Sequence, residues 1–164
     1  MDIKEQGRPG EAGTANSGSK TTRGESLREA QRPTTRSLVT PKQTSTIGHW
    51  NVRTMYRGGA SAQITREMEE YQLNIFGISE CRWTGAGKMR QALGQTVIYS
   101  GDEELHEGGV AIMISQQAMK SLIKWAPISK RIIIAEFFSR YRRVSVIQAY
   151  APHNEKGEKE KEQF

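Results

Sequence analysis

Residues 73–83 read Leu-Asn-Ile-Phe-Gly-Ile-Ser-Glu-Cys-Arg-Trp, an apolar run that ends in a carboxylate, a thiol and a guanidinium. A short stretch of β-branched and aromatic residues bounded by polar side chains is typical of a buried strand. We therefore predict a buried strand over residues 73–80, with Glu80 at its carboxyl end.

The segment before this strand predicts a strand and a helix. Residues 46–52 (TIGHWNV) are β-branched and aromatic, which indicates a second buried strand ending near Asn51. Residues 61–71 predict a helix capped by Ser61. Its apolar face carries Ile64, Met68 and Tyr71, spaced i, i+4, i+7.

This strand–helix–strand order places two polar side chains near each other. A right-handed crossover makes such strands parallel and commonly adjacent, so their carboxyl ends meet at one edge of the sheet. Asn51 and Glu80 are then expected to lie close together. An amide oxygen and a carboxylate are ligands that suit Mg²⁺. The alternative is that Asn51 caps a turn while Glu80 pairs with Arg82 or Arg53 in solvent.

The segment after residue 83 predicts five further strands. Short connections between successive strands favour antiparallel pairing. The predicted strands cover residues 95–100, 109–115, 121–126, 130–138 and 143–151, with a turn at 139–142. The whole pattern predicts a mixed α/β fold of the α+β type, in a domain over residues 46–164.

Residues 1–45 differ in composition from the rest of the chain. They contain no aromatic side chain and few large aliphatic ones, so we expect a disordered leader. It is either a loose nucleic-acid-binding arm or a plain solvated segment. Its basic residues are Lys4, Arg8, Lys20, Arg23, Arg28, Arg32, Arg36 and Lys42.

Charge, cysteine content and hydrophobicity indicate which partners and cell compartments suit the protein. Lys and Arg number 24 against 18 Asp and Glu, a net charge of +6 that fits a polyanionic partner such as DNA. Cys81 is the only cysteine, which excludes an internal disulfide and suits the reducing cytoplasm or nucleus. We expect Cys81 to be a buried apolar residue. No apolar stretch reaches the length of a membrane span, so no membrane association is expected.

Four motifs together resemble the endonuclease/exonuclease/phosphatase superfamily. More narrowly, they are similar to the apurinic-type endonuclease domain of non-LTR (LINE) retrotransposons and the craniofacial development protein 2-like group. The resemblance covers residues 46–164, the N-terminal half of that family's domain. The motifs are Trp50-Asn51-Val52-Arg53, Gly77-Ile78-Ser79-Glu80-Cys81-Arg82-Trp83, Gly108-Gly109-Val110-Ala111-Ile112 and Tyr150-Ala151-Pro152.

The resemblance implies a four-layer α/β/β/α sandwich and Mg²⁺-dependent phosphodiester hydrolysis. Carried over by motif, Asn51 and Glu80 hold the metal, and Glu80 and Tyr150 serve catalysis, with Tyr150 positioning the scissile phosphate. Arg82 would contact phosphate. The family's His–Asp base pair and Asp-x-Asn motif do not follow Tyr150 here. The implied function is therefore an endonuclease fragment, truncated at the C-terminus and inactive alone.

Other residues allow a second function, a catalytically silent module that binds DNA, chromatin or another protein. Arg142 and Arg143, with Arg140, surround Tyr141 in a basic turn that either contacts a DNA backbone or is a solvated hairpin tip. A half domain also predicts that one face of the first sheet lacks its partner sheet, and that another chain covers it.

None of the histidines is expected to replace the missing base. His49 is predicted to be a packed or edge residue of its strand, and His106 to be exposed in an acidic loop. His153 follows the Tyr-Ala-Pro motif without an aspartate to orient it.

Overall fold

A computed structural model of the protein describes residues 28–29 and 44–152. These residues form nine strands and two helices. In chain order they are β1 (Arg28–Glu29), β2 (Ile47–Asn51), α1 (Ala60–Glu70), β3 (Ile75–Ser79), β4 (Ala86–Arg90), β5 (Thr96–Ser100), β6 (Val110–Ile114), α2 (Gln116–Met119), β7 (Leu122–Ser129), β8 (Ile132–Phe138) and β9 (Arg143–Ala149).

The strands form two sheets, which confirms the mixed α+β class. The first sheet has the order β2-β3-β6-β5-β4, and the second has the order β1-β7-β8-β9. β2 and β3 are parallel neighbours joined through α1, as the crossover argument predicts, and Asn51 lies opposite Ser79 in their register. Every other pairing is antiparallel, as short connections favour.

Two apolar clusters hold these layers together. The first lies between α1 and the first sheet and comprises Met55, Ile64, Met68, Phe76, Ile78, Cys81, Val97, Ala111 and Met113. The second lies between the two sheets and comprises Ile75, Ile98, Val110, Ile112, Ile114, Ala118, Leu122, Trp125, Ile133, Ala135 and Phe137. Because β3, β5 and β6 are apolar on both faces, each of these strands contributes to both clusters.

The expectation of an uncovered face on the first sheet is wrong. Strands β7 to β9 of the same chain form the sheet that packs against it, and Ile112 and Phe137 on opposite sides of this contact are both fully buried. The prediction assumed that the second sheet comes from a later part of the domain. The structure therefore gives no reason to expect that another chain covers this face.

The helix start differs from the prediction. Gly59 is the N-cap residue of α1, with a left-handed φ of 86°, and no side chain caps the helix. Ser61 lies inside the first turn, where its carbonyl accepts a hydrogen bond from the Thr65 hydroxyl. Tyr71 follows the last turn and is 66 % exposed, so it does not extend the apolar face of Ile64 and Met68.

Two short elements, β4 and α2, were not predicted, and β2 is less buried than predicted. β2 was predicted to be buried, but it pairs only with β3 among the described residues and is largely exposed, with Ile47 56 % accessible. β4 (AGKMR) is polar and lacks an alternating pattern. α2 has four residues, too few to show helical periodicity, although Ser115 caps it by accepting from the Ala118 amide.

Parts of two predictions concern residues that the structure does not describe. Within the predicted leader, only Arg28–Glu29 is described, and it forms the two-residue strand β1 beside β7. The rest of the leader, and His153 with the segment after it, lie outside the described residues. Across residues 28–29 and 44–152, neither helix has the length and apolar character to cross a bilayer.

Candidate metal and phosphate site

The site begins where β2 and β3 end. Asn51 is the last residue of β2 and Glu80 directly follows β3, and their register brings the two side chains into contact. The Asn51 amide nitrogen donates a hydrogen bond of 2.8 Å to Glu80 Oε1. The two residues predicted to share an edge of the sheet are therefore direct neighbours.

The backbone after β3 directs alternate side chains to opposite sides. Glu80 and Arg82 both have a left-handed φ of 56°, which few non-glycine residues adopt. Cys81 between them is fully buried, while Glu80 and Arg82 reach the surface side of the turn. The turn is held by Cys81 and Arg82 amides that donate to the carbonyls of Gly109 and Gly108.

Gly109 is needed for a close approach between this turn and the start of β6. A Cβ atom on Gly109 would lie 2.8 Å from Cys81 Sγ, and its φ of 81° is itself left-handed. A larger residue at this position would push the Glu80 turn away from the start of β6. The Gly108-Gly109 motif thus sets the position of Glu80.

Tyr150 completes the contact from the other sheet. It follows β9, and its hydroxyl donates a 2.9 Å hydrogen bond to Glu80 Oε1, the same oxygen that Asn51 contacts. Arg82 reaches the other carboxylate oxygen at 3.4 Å. The structure therefore brings together Asn51, Glu80, Arg82 and Tyr150, all of which the sequence had singled out.

These contacts affect both titrating groups. Burial raises the pKa of Glu80, but hydrogen bonds from Asn51, Tyr150 and Arg82, with the charge of Arg82, outweigh it, so the pKa lies below its usual value. The pKa of Tyr150 is raised by burial, by its hydrogen bond to Glu80 and by the Glu80 charge. At neutral pH the site therefore contains a carboxylate and a neutral phenol donor.

Arg131 is a member of the site that the sequence did not reveal. Its guanidinium lies 5.4 Å from the Tyr150 ring centroid and donates to the Tyr150 carbonyl at 3.3 Å. The Tyr150 amide in turn donates to the Arg131 carbonyl. Only the pairing of β8 with β9 brings these residues together, so no local sequence signal could have indicated it. Arg131 and Arg82 both place a positive charge close enough to Tyr150 to act on its hydroxyl.

A polar cluster of one exposed and two buried side chains lies next to the site. The Ser79 hydroxyl lies 3.1 Å from His49 Nε2 and accepts a 3.0 Å hydrogen bond from the Gln148 amide. Ser79 and Gln148 are both buried, and His49 lies on the edge strand, as predicted. These contacts tie β2, β3 and β9 together directly behind Asn51 and Glu80.

Arg142 and Arg143 do not join this cluster. Arg143 begins β9 and Tyr150 follows its last residue, so seven residue steps of about 3.3 Å, or roughly 23 Å, separate them. The turn before β9 is closed by the Ser139 amide donating to the Arg142 carbonyl. The two arginines are exposed there and form a separate basic surface.

Cys81 is not a reactive group of the site. It is fully buried, and this burial raises the pKa of its thiol to about 11. A thiol with such a pKa remains protonated at neutral pH and is a poor nucleophile. The prediction of a buried apolar residue is confirmed.

The donor set fits a weakly held hard cation. Glu80 offers a carboxylate, and Asn51 Oδ1 accepts a 3.1 Å hydrogen bond from the Arg53 amide, with a second lone pair remaining. Within residues 28–29 and 44–152, no three His, Cys, Asp or Glu side chains are grouped so that they could hold a metal ion. Magnesium is commonly held by one or two carboxylates, with water and phosphate oxygens completing its shell.

Comparison with known proteins gives one consistent result. No protein-family model matches the chain. Over 119 residues, or 71 % of the chain, it is 34 % identical to Craniofacial development protein 2 of Bos taurus and 32 % identical to that of Tragulus javanicus. The chain spans 20 % of the length of these relatives. Across the aligned residues, the protein is homologous to Craniofacial development protein 2.

Proposed function

We propose that this chain carries the Asn51–Glu80 part of a magnesium-dependent DNA endonuclease site. The contact that carries the proposal is the pair of hydrogen bonds from Asn51 and Tyr150 to one oxygen of Glu80. It joins residues from both sheets at the positions that the superfamily motifs assign to metal and phosphate. The LINE-like motifs favour an origin in a retrotransposon endonuclease.

The residues around Glu80 have distinct tasks in this proposal. Glu80 and Asn51 would hold Mg²⁺, which when bound supplies positive charge for a phosphodiester oxygen. Tyr150, a neutral donor at pH 7, would orient a phosphate oxygen. Arg82, whose side chain is 45 % exposed, would bind a neighbouring phosphate.

The same contacts predict a low activity for the chain alone. All three hydrogen-bond donors around Glu80 compete with a cation for its oxygens, so metal binding is expected to be weak. His49, the histidine nearest the Asn51–Glu80 contact along the strand pair, is engaged with Ser79. We therefore propose that the chain by itself nicks DNA slowly or not at all.

Incubation of the purified chain with supercoiled plasmid and Mg²⁺ tests this proposal. We expect no more nicking than that of the Glu80→Ala variant. Efficient nicking by the wild-type chain that Glu80→Ala abolishes would show that the chain contains a complete catalytic site. Glu136→Ala is the matched control, because Glu136 also pairs with a basic residue, Lys124, but lies in the second sheet.

A second function, DNA binding without cleavage, is favoured by the basic turn between β8 and β9. Arg140, Arg142 and Arg143 are exposed there, and the Arg140 guanidinium lies 5.3 Å from the ring centroid of the exposed Tyr141. Such a cluster can bind phosphates without reading sequence.

Duplex binding over a salt series tests the role of this turn. Each phosphate contact contributes about 0.9 to the slope of log affinity against log salt. The double variant Arg142→Ala/Arg143→Ala is expected to lower that slope by about 2. An unchanged slope would show that the turn does not contact DNA. The double variant Arg66→Ala/Arg90→Ala, at exposed positions elsewhere, is the control for the loss of two positive charges.

A further inference from the structure

An exposed aromatic pair lies beside the proposed site. The Tyr56 and His106 rings are in contact, with centroids 4.2 Å apart and planes tilted by 42°. Tyr56 is 64 % exposed and His106 is also exposed, so the pair adds little to either apolar cluster. Neither residue belongs to the motifs that carry the superfamily resemblance.

Arg82 links this pair to Glu80. Its carbonyl lies 2.9 Å from His106 Nδ1, and its guanidinium pairs with the Glu80 carboxylate. Because a carbonyl oxygen only accepts hydrogen bonds, Nδ1 carries a proton in this contact. One residue thus touches both the aromatic pair and the carboxylate.

The loop that carries Tyr56 is anchored to the same turn. The Met55 amide donates a 2.9 Å hydrogen bond to the Cys81 carbonyl, and the Trp83 indole donates to the Met55 carbonyl at 3.2 Å. Met55 itself is buried. Tyr56 is therefore an exposed ring on a fixed backbone, which lowers the entropic cost of binding a planar ligand.

Charged groups of both signs lie near the aromatic pair. Glu107 follows His106 and is exposed, while two arginines provide the contacts for an anionic ligand. Arg82 lies at one side of the aromatic pair, and Arg57 follows Tyr56 in the chain and is exposed. The exposed Tyr56 ring beside guanidinium groups matches the two parts of a nucleotide, its base and its phosphate. Stacking on a ring needs an unpaired base, because a base within a duplex is already stacked on both faces.

We propose that Tyr56 and His106 form a platform on which an unpaired nucleobase stacks while Arg82 holds an adjacent phosphate. This inference rests on the proposed function and adds to it a ligand class, single-stranded nucleic acid or a locally unpaired duplex. Stacking of this kind tolerates any base, because every base presents a π-face.

Binding of two labelled oligomers, measured by fluorescence anisotropy at low salt, tests the platform. One is an oligothymidylate and the other an abasic oligomer with the same number of phosphates. Removing one stacking side chain costs about 1–3 kcal/mol, so Tyr56→Ala is expected to weaken oligothymidylate binding by roughly 5- to 150-fold. Binding of the abasic oligomer should change less than about twofold, because it has no base to stack.

Two variants serve as controls. Tyr56→Phe keeps the ring and is expected to retain wild-type affinity. Tyr71→Ala removes a tyrosine of similar exposure, 66 % against 64 %, at the far end of α1, and is expected to change neither affinity.

The remaining outcomes separate the two proposals. If the wild-type chain binds neither oligomer, the platform is wrong, whereas the proposed function is decided separately by plasmid nicking and cation binding. If it binds both oligomers equally, or if Tyr56→Ala weakens both equally, the stacking platform alone is wrong.

Discussion

At the scale of single residues, Glu80 combines two unfavourable features. Its backbone is left-handed, at a cost of about 1–2 kcal/mol, and its carboxylate is partly removed from water. Hydrogen bonds from Asn51, Tyr150 and Arg82 offset this cost. Strained backbone that surrounding contacts maintain is common at functional sites.

Tyr150→Phe tests the link between these contacts and pH. The lowered pKa of Glu80 contributes stability that is present above its unfolded-state pKa of about 4.5 and is lost as pH falls through the folded-state value. Removing the hydroxyl is expected to reduce the free energy of unfolding at pH 7 by about 0.5–1 kcal/mol, since solvent screens part of the interaction.

Urea unfolding at pH 7 and pH 3 measures this effect. The difference between wild type and Tyr150→Phe is expected to shrink as the pH falls, because protonation of Glu80 weakens the hydrogen bond that its carboxylate accepts. A difference that is constant, or that grows on acidification, would contradict the assigned hydrogen bond.

At the scale of elements, β3 connects the two halves of the site. All five of its residues are buried, and it pairs in parallel with β2 and antiparallel with β6. Gly77 at its centre faces the Gln148 side chain of β9, which occupies the space where a Cβ atom would lie. This glycine leaves room for the Gln148 side chain, which donates a hydrogen bond to Ser79 next to Glu80.

Gly77→Ala is expected to destabilise the protein by about 1–3 kcal/mol, the usual range for an overpacked core. It should also weaken the hydrogen bond from the Gln148 amide to Ser79, because the end of the Gln148 side chain must move. Gly58→Ala is the matched control, since no atom lies within 4 Å of its Cβ position. Equal stability of the two variants in urea unfolding would contradict this packing.

At the scale of the whole molecule, a second sheet from the same chain covers the first. Phe137 and Phe138 are consecutive in β8 but face opposite sides, so Phe137 is fully buried between the sheets and Phe138 is 42 % exposed. Truncating each of these two residues in turn therefore measures how much packing between the sheets contributes to the free energy of unfolding.

Phe137→Ala is expected to lower the free energy of unfolding by about 3–5 kcal/mol, a large share of the stability of an ordinary domain. Phe138→Ala is expected to lower it by less than about 1 kcal/mol, because its ring is already partly in water. Similar losses for the two variants in chemical unfolding would mean that β8 does not pack in this way.

The sequence predicted the parts of this molecule that depend on local pattern. Buried strands such as β3 and β6, and the crossover that joins Asn51 to Glu80, follow from apolar periodicity and handedness. The sequence did not predict features that depend on long-range packing. These are the packing of β7 to β9 as the partner sheet, the exposure of β2, and the contact of Arg131 with Tyr150. The aromatic pair of Tyr56 and His106 joins two loops about fifty residues apart and carries no local signal.

The central claim is that Asn51 and Glu80 form a binding site for a divalent cation. Titration of the wild-type chain with Mn²⁺, a paramagnetic substitute for Mg²⁺, followed by electron paramagnetic resonance, tests it most directly. We predict one weak site that Glu80→Gln weakens at least about tenfold and that Glu136→Gln leaves unchanged. Equal Mn²⁺ binding by wild type and Glu80→Gln, or no binding by the wild-type chain, would contradict the claim.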